Sequence, residues 1–234
     1  MQSNPPWRLA FMFDAPNGAY GDLEEGLKRI TSQVQALAGA AHVRLGVADR
    51  HPDLAVIFDA ETSNSRSVDG AIEISVDDTR KAELAAISIA VSKLLTDIAA
   101  PRTLEIMAGP YYSMVPVRDG NVFLSLAFRR DPDISSAQFQ DWWLNQHAGI
   151  AIPVLGGGLL AYDQVHLDHS ANENLGQAVK ISPVYYDAYD NLTWTDRHAF
   201  LQSISNEDDM IRVYADEVGK IDKHSQRSAL MRKL

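Results

Sequence analysis

The sequence predicts an α+β chain of two successive halves with the same element order, packed against each other sheet to sheet. Three observations carry this. The 234 residues are 46% hydrophobic, enough for a sizeable core in one or two domains. Apolar residues recur with a period of two in some stretches and of three to four in others, strand and helix in turn. A strand–helix–strand–helix–strand order over residues 1–118 is met again over 119–234, with Asp119-Gly120 at the seam. Such a unit is a sheet with helices on one face, and its other face must be covered. Two units in one chain can cover each other and close a barrel internally.

In the first half, Leu9 to Phe13 reads as a strand buried on both faces. Pro16-Asn17-Gly18 is a turn. Asp22, with Glu25 three residues on, starts a helix whose apolar face is Leu23, Leu27, Ile30, Val34 and Leu37. His42 to Val47 alternates as a strand. Leu54 to Asp59 reads as its continuation or as a separate strand, and Glu61 to Asp69 as a polar loop. Ala71 to Val76 alternates again. Asp77 or Asp78 caps a long helix running to about Ala99, Pro101 breaks it, and Thr103 to Met107 is a strand continuing towards Tyr112.

In the second half, Val122 to Arg129 is a strand. Val122, Leu124, Leu126 and Phe128 form a wholly apolar face expected to meet helices. Phe123, Ser125, Ala127 and Arg129 form a mixed face suited to a cavity. Ile134 to Ile150 is a helix with a start that cannot slide: Ser135 and Gln138 have capping-box spacing, and Ile134 and Phe139 can form a hydrophobic staple. Phe139, Trp143 and His147 fall at intervals of four and share a face. Trp142, about 100° around the helix from Trp143, is expected to be a helix-packing or interface residue. Ala148-Gly149 and Pro153 are expected to end the helix.

Leu159 to Leu167 is a strand with Tyr162, Gln164 and His166 on one face, expected to line the cavity. Asp163, Val165 and Leu167 are then expected towards the helices. Asp168 to Gln177 reads as a polar loop and Val184 to Trp194 as a tyrosine-rich strand. Asp196 caps a short helix around Phe200, Met210 to Glu217 is helical, and Ala229 to Leu234 is a last strand.

Phe139, Trp143, His147 and Ala148 spell F-x-x-x-W-x-x-x-H-A. The strand Phe123 to Arg130 and the lead-in Asp131-Pro132-Asp133-Ile134-Ser135 precede it. Tyr162-Asp163-Gln164 and Leu192-Thr193-Trp194-Thr195-Asp196 follow it. Together they resemble the EthD domain over residues 121–234. The resemblance implies a ferredoxin-like βαββαβ unit that pairs with another into an α/β barrel. Residues 119–234 are then an EthD-like half and residues 1–118 a degenerate ferredoxin-like half. It does not fix a reaction, because the superfamily hosts many. Its enzymes perform cyclisation, dehydration, decarboxylation or isomerisation, other members are pathway auxiliaries, and haem binding is known in other α/β barrels with tandem halves.

The formal net charge is −10 and no Lys/Arg-rich run occurs, which argues against nucleic acid or an anionic membrane surface as partner. With no cysteine, disulfides, thiolate chemistry and Cys-based zinc sites are excluded. The N-terminal stretch lacks the basic and apolar segments of a secretory signal, and no apolar run reaches the length of a membrane span. These features fit a cytoplasmic protein without a membrane partner; further association of the barrel as a homodimer is a separate expectation.

His147 is the candidate catalytic residue. Its unperturbed pKa near 6.5 suits a general acid or base; a helix-end histidine bonded to a carbonyl is the alternative. The first-half helix has no aromatic face and no histidine, so chemistry is expected in the second half. Trp143, Phe123, Tyr162, His166, Tyr186 and Arg129 are the candidate substrate contacts, Arg129 for an anionic group. His166-Leu167-Asp168-His169 does not read as a metal site, since its histidines would point to opposite faces; it reads as a solvated turn. Gly156-Gly157-Gly158 follows a helix and precedes a strand, the reverse of a phosphate loop. The expected function is acid–base lyase or isomerase chemistry on a small apolar or aromatic carbonyl or phenolic compound, without metal or organic cofactor. The alternative is a non-catalytic small-molecule binder.

Overall fold

A computed structural model of the protein describes residues 4–39, 42–61, 66–116 and 118–234. Its first half runs β1 (Trp7–Phe13), α1 (Tyr20–Ala38), β2 (Val43–Ala48), α2 (Pro52–Glu61), β3 (Arg66–Ser67), β4 (Gly70–Val76), α3 (Leu84–Leu95) and β5 (Glu105–Val115). Its second half runs β6 (Val122–Arg130), α4 (Ser136–Trp142), a π-helical turn (Trp143–His147), α5 (Ala148–Leu155), β7 (Leu159–His166), α6 (His169–Val179), β8 (Ala188–Trp194), α7 (Arg197–Ser203), α8 (Glu207–Glu217) and β9 (Ile221–Lys233).

Eight strands close a barrel within the chain in the order β2-β4-β1-β5-β7-β8-β6-β9, and β9 returns to β2. The short β3 pairs in parallel with β9 at Arg227 and Ser228. The two ferredoxin-like units thus cover each other's open faces. One join is β5, which pairs with β1 up to Pro110 and with β7 from Tyr111. Gly109 sits at that handover. A Cβ there would lie 2.1 Å from the His166 carbonyl oxygen, so only glycine lets β7 approach. The other join is β9, paired with β6 along most of its length and with Gly46 to Ala48 of β2. Among the described residues no helix is long and apolar enough to cross a membrane.

Strand alternation sorts side chains into an outer layer under the helices and a barrel interior. Leu9, Phe11 and Phe13 of β1 pack outward with Leu23, Leu27 and Val34 of α1 and Ile87 and Val91 of α3. Ala10 and Met12 point inward, where they join Met107, Phe123, Ala127 and Met231. The inward face also carries buried charges, among them the cluster Arg8, Arg44, Glu73 and Asp163. The two faces of β6 fall as expected: Val122 and Leu124 pack towards helices, Phe128 packs on α4, and Phe123 and Ala127 face inward.

Several expectations are corrected. Residues 52–61 are a helix, not a strand: Pro52 stands at its first position, where its fixed φ is pre-organised and its missing N–H costs nothing. Within Glu61 to Asp69, residues 62–65 lie outside the described residues, and Arg66–Ser67 is a strand. Asp168 to Gln177 is not a loop. Asp168 caps α6 by accepting from the Ala171 N–H at 3.0 Å, and polarity hid a helix that buries little more than Asn172, Leu175 and Gly176. The helix from Ser136 does not stop at Gly149 but runs through Pro153 to Leu155, and Gly156 ends it at φ 68°. β8 begins at Ala188, four residues later than expected from Val184, whereas β9 extends back to Ile221 through a polar stretch that showed no alternation.

Candidate active site

The site is built on the predicted helix start. Ser135 Oγ accepts from the Gln138 N–H at 3.3 Å and Gln138 Oε1 accepts from the Ser135 N–H at 2.9 Å, the reciprocal capping box. Phe139 and Trp143 then stack at 5.5 Å over Phe128 of β6. The next turn widens into a π turn, a feature frequent at functional sites. The wide turn rotates His147 off the Phe139–Trp143 stripe, so the three do not share a face as their spacing suggested. The ring lies instead 4.9 Å from that of Trp142.

His147 is 4% exposed and its Nδ1 lies 2.9 Å from Asp216 Oδ2, at the end of α8. Asp216 Oδ1 accepts from the Trp142 indole N–H at 3.2 Å. A carboxylate can only accept, so the Asp216 contact fixes a proton on Nδ1 and leaves Nε2 on the far side of the ring for exchange. On the Nε2 side stands Glu217 Oε1 at 4.0 Å, and the other oxygen of Glu217 is ion-paired with Lys223 of β9.

These groups border a cavity of about 430 Å³ between the sheet's outer face and α5, α7 and α8. Leu124, Leu192, Trp194, Phe200 and Met210 give it an apolar wall. His147, Tyr162, Asp190, Glu217 and Lys223 bring polar atoms to it. The Tyr162 hydroxyl accepts from Gln164 Nε2 at 3.0 Å. Burial and the nearby Asp190 push the Tyr162 pKa well above the usual phenol value, and the Gln164 hydrogen bond acts in the opposite sense. Asp190 is pushed well above the usual carboxylate range by burial and then by Glu217, with the Tyr162 hydroxyl opposing. The cavity therefore combines an imidazole with a buried acid that favours its protonated form.

Of the expected site residues, His147 and Tyr162 border this cavity. The cavity lies beneath the second half's helices, not in the chamber between the two halves, because that chamber is filled by side chains. Phe123 is inside the barrel, packed against Arg44 at 5.0 Å. Trp143 is fully buried between Phe128, Phe139 and His166 and does not reach the cavity. Tyr186 and Arg129 border a different, polar cavity of about 320 Å³ beside Glu105 and Arg227. The expected faces of β7 are inverted. Tyr162, Gln164 and His166 point to the helices and Asp163 and Val165 point inward, because Asp163 pairs inside with Arg8 at 2.7 Å. Gln164 Nε2 also donates to the Trp143 carbonyl at the head of the wide turn, at 2.9 Å.

The two histidines read as a solvated turn part company. His169 Nε2 meets the Tyr186 carbonyl oxygen at 3.0 Å. His166 is buried between Tyr112 and Trp143, and burial pulls its pKa down to about 4. The unfolded chain then binds a proton the folded one refuses between the ordinary value of 6.5 and about 4. Its contribution to stability is complete above that window and lost as pH falls through it, at most about 1.4 kcal/mol per pH unit. Thermal melts across the acid range should show this loss, and His166→Phe should lessen it. An unchanged acid-side slope in that variant would place the effect elsewhere.

Sequence reasoning missed Asp216, Glu217, Asp190 and Lys223. Only Asp190 left a local signal, as the acid among the outward-facing residues Ala188, Leu192 and Trp194 of β8.

The EthD domain family matches residues 131–224. No curated protein matches the chain. Among solved structures, an anthrone oxidase-like protein is similar with a TM-score of 0.58 and 8% identity, covering 100% of this chain and 94% of that one. A dye-decolorizing protein from V. cholerae has a TM-score of 0.53 and 14% identity, covering 99% and 94%. A heme-binding protein from Thermus thermophilus has a TM-score of 0.52 and 10% identity, covering 100% and 93%. At such identities these structures speak to the fold alone. The chain is thus an α/β barrel whose second half matches the EthD domain over residues 131–224.

Proposed function

We propose that the protein is an acid–base enzyme of the lyase or isomerase type, acting on a small apolar or aromatic carbonyl or phenolic compound, with His147 moving the proton. One observation carries this: a buried imidazole in the wall of a largely apolar cavity, its Nδ1 held by Asp216 at 2.9 Å. In the step that suits this geometry, a C–H bond beside a carbonyl breaks and its proton passes to Nε2. The electron pair moves into the new C=C bond, and the carbonyl oxygen takes up the charge. Asp216 stabilises the imidazolium so formed. Return of the proton to another carbon isomerises the substrate; transfer of that proton from the imidazolium to a β-hydroxyl, which leaves as water while the enolate collapses, dehydrates it. Neither course requires an oxidant. The anthrone oxidase-like neighbour's name points to the same class of compound, by likeness of fold alone.

A haem iron's axial histidine has the same outline, a carboxylate on one ring nitrogen and the other facing a cavity. The rest of the wall does not fit. A porphyrin brings two propionates, whereas the wall offers Asp190, Glu207 and Glu217, and its lysine, Lys223, is already paired with Glu217. Hemin titration should therefore give no stoichiometric Soret shift.

The direct test is hydron exchange. Aromatic ketones that raise the melting temperature are incubated with the protein in D2O, and loss of the α-proton signal is followed by NMR. Exchange faster than in buffer is expected. A bound ketone that exchanges at the buffer rate would leave only the small-molecule binder.

A further inference from the structure

The imidazole does not account for the buried acid Asp190 in the cavity wall. Along β8, Tyr189, Asn191 and Thr193 face the barrel interior, and Ala188, Asp190, Leu192 and Trp194 face the helix layer. Asp190 interrupts this apolar stripe. It is 6% exposed, it borders the cavity, and its Oδ1 has no hydrogen-bond partner among the described residues. A buried polar oxygen without a partner is destabilising by itself, and its place in the cavity wall says what would satisfy it. The groups around the cavity near it are Tyr162 of β7, His147 of the wide turn, Glu207 and Glu217 of α8, and Lys223 of β9. Lys223 is ion-paired with Glu217, so among the described residues lining the cavity no free cation offsets a charge on Asp190.

We propose that Asp190 is a second catalytic residue, a neutral carboxylic acid that donates a hydrogen bond to the substrate's carbonyl oxygen and selects uncharged ring ketones over carboxylates. The proton stays on Asp190 while His147 takes the α-proton, so the acid stabilises the developing enolate without an extra transfer. Holding a carboxylic acid neutral so that it can donate in this way is a known device for enolate chemistry. Its raised pKa also predicts a stability signature. Between the ordinary carboxylate value and its raised one, the folded state keeps a proton the unfolded chain releases, so stability falls as pH rises through that window.

The inference takes its chemistry from the acid–base reading, yet binding alone scores it. The probes are 1-tetralone, an uncharged ring ketone that can only accept, and 1-naphthoate, a bicyclic carboxylate. Each is titrated against the full chain by tryptophan fluorescence, with Trp194 in the cavity wall. Wild type and Asp190→Asn should bind tetralone within about threefold of each other, since the amide also donates. Asp190→Leu, which completes the apolar stripe, should bind about three- to tenfold more weakly. Naphthoate should not bind the wild type at neutral pH. Raising the pH should weaken tetralone binding and lower the melting temperature of the wild type, and both slopes should flatten in Asp190→Asn.

Full affinity in Asp190→Leu, equal losses in the Asn and Leu variants, no tetralone binding by wild type, or preference for naphthoate would each overturn the assignment. If the binding pattern holds but bound tetralone exchanges no α-proton, the acid–base reading fails and Asp190 remains a ligand-selecting residue.

Discussion

Replacing His147 with Ala is expected to slow α-proton exchange at the cavity by about 10²-fold or more, with the fold retained. The fold should survive because the group left behind is not stranded. Asp216 still accepts from the Trp142 indole N–H, and its side chain keeps 16% exposure. Asp216→Asn makes the sharper companion. Its oxygen must stay with the Trp142 indole, which can only donate, so its amide N–H turns to His147 Nδ1. That forces the imidazole proton onto Nε2, the atom that must accept. Activity should fall with KM little changed, because neither Asp216 nor the tautomer of His147 contributes to the apolar wall. Circular dichroism and melting temperature check folding, and kcat and KM for exchange check the role. Wild-type turnover in His147→Ala dismisses the imidazole as the base, and a loss confined to KM would make Asp216 a packing residue.

Much of this site was legible locally, and what was not depended on distant partners. Ser135 and Gln138 announce the helix start because a capping box is satisfied within four residues. The wide turn at Trp143 to His147 has no such local signature. It accompanies contacts made from 21 and 69 residues away, Gln164 to the Trp143 carbonyl and Asp216 to His147. The faces of β7 were misjudged for a related reason. Val165 and Leu167 suggested a face turned to the helices, but the interior of this barrel accepts both apolar groups and a paired acid. Arg8, in the strand Trp7–Phe13, was the overlooked sign of that interior. A cation in a strand buried on both faces needs a carboxylate from elsewhere. Asp190 carried the same kind of sign in β8. The architecture was more legible than the site, since alternation and the uncovered face of a four-stranded sheet depend on many residues, and no single misread one alters them.

Glu73→Gln is expected to cost about 3–5 kcal/mol of stability, the largest single loss outside the apolar core. Glu73 is 1% exposed and holds the two halves of the barrel together. Its Oε2 lies 3.0 Å from Arg8 and 3.8 Å from Arg44, both of the first half. Its Oε1 accepts from the Tyr189 hydroxyl and the Asn191 amide, both of β8. Arg8 is also bound by Asp163 at 2.7 Å, so the cluster around Glu73 contains two guanidinium groups and two carboxylates. Neutralising Glu73 leaves one buried positive charge in excess. Removing that excess should recover stability, so Arg44→Met added to Glu73→Gln should melt above the Glu73→Gln protein although it breaks further hydrogen bonds. The double-mutant cycle measures this coupling directly. A single-variant loss below about 1 kcal/mol, or strict additivity of the pair, would mean that water or side-chain movement neutralises the interior. The effect should also reach the cavity. Tyr189 and Asn191 flank Asp190 on β8, so releasing their grip on Glu73 frees the segment that holds the acid in the wall. Faster amide hydrogen exchange along Ala188–Trp194 in Glu73→Gln, with weaker tetralone binding, is the expected readout; unchanged protection there would show that the packing of Leu192 and Trp194 under the helices fixes Asp190 unaided.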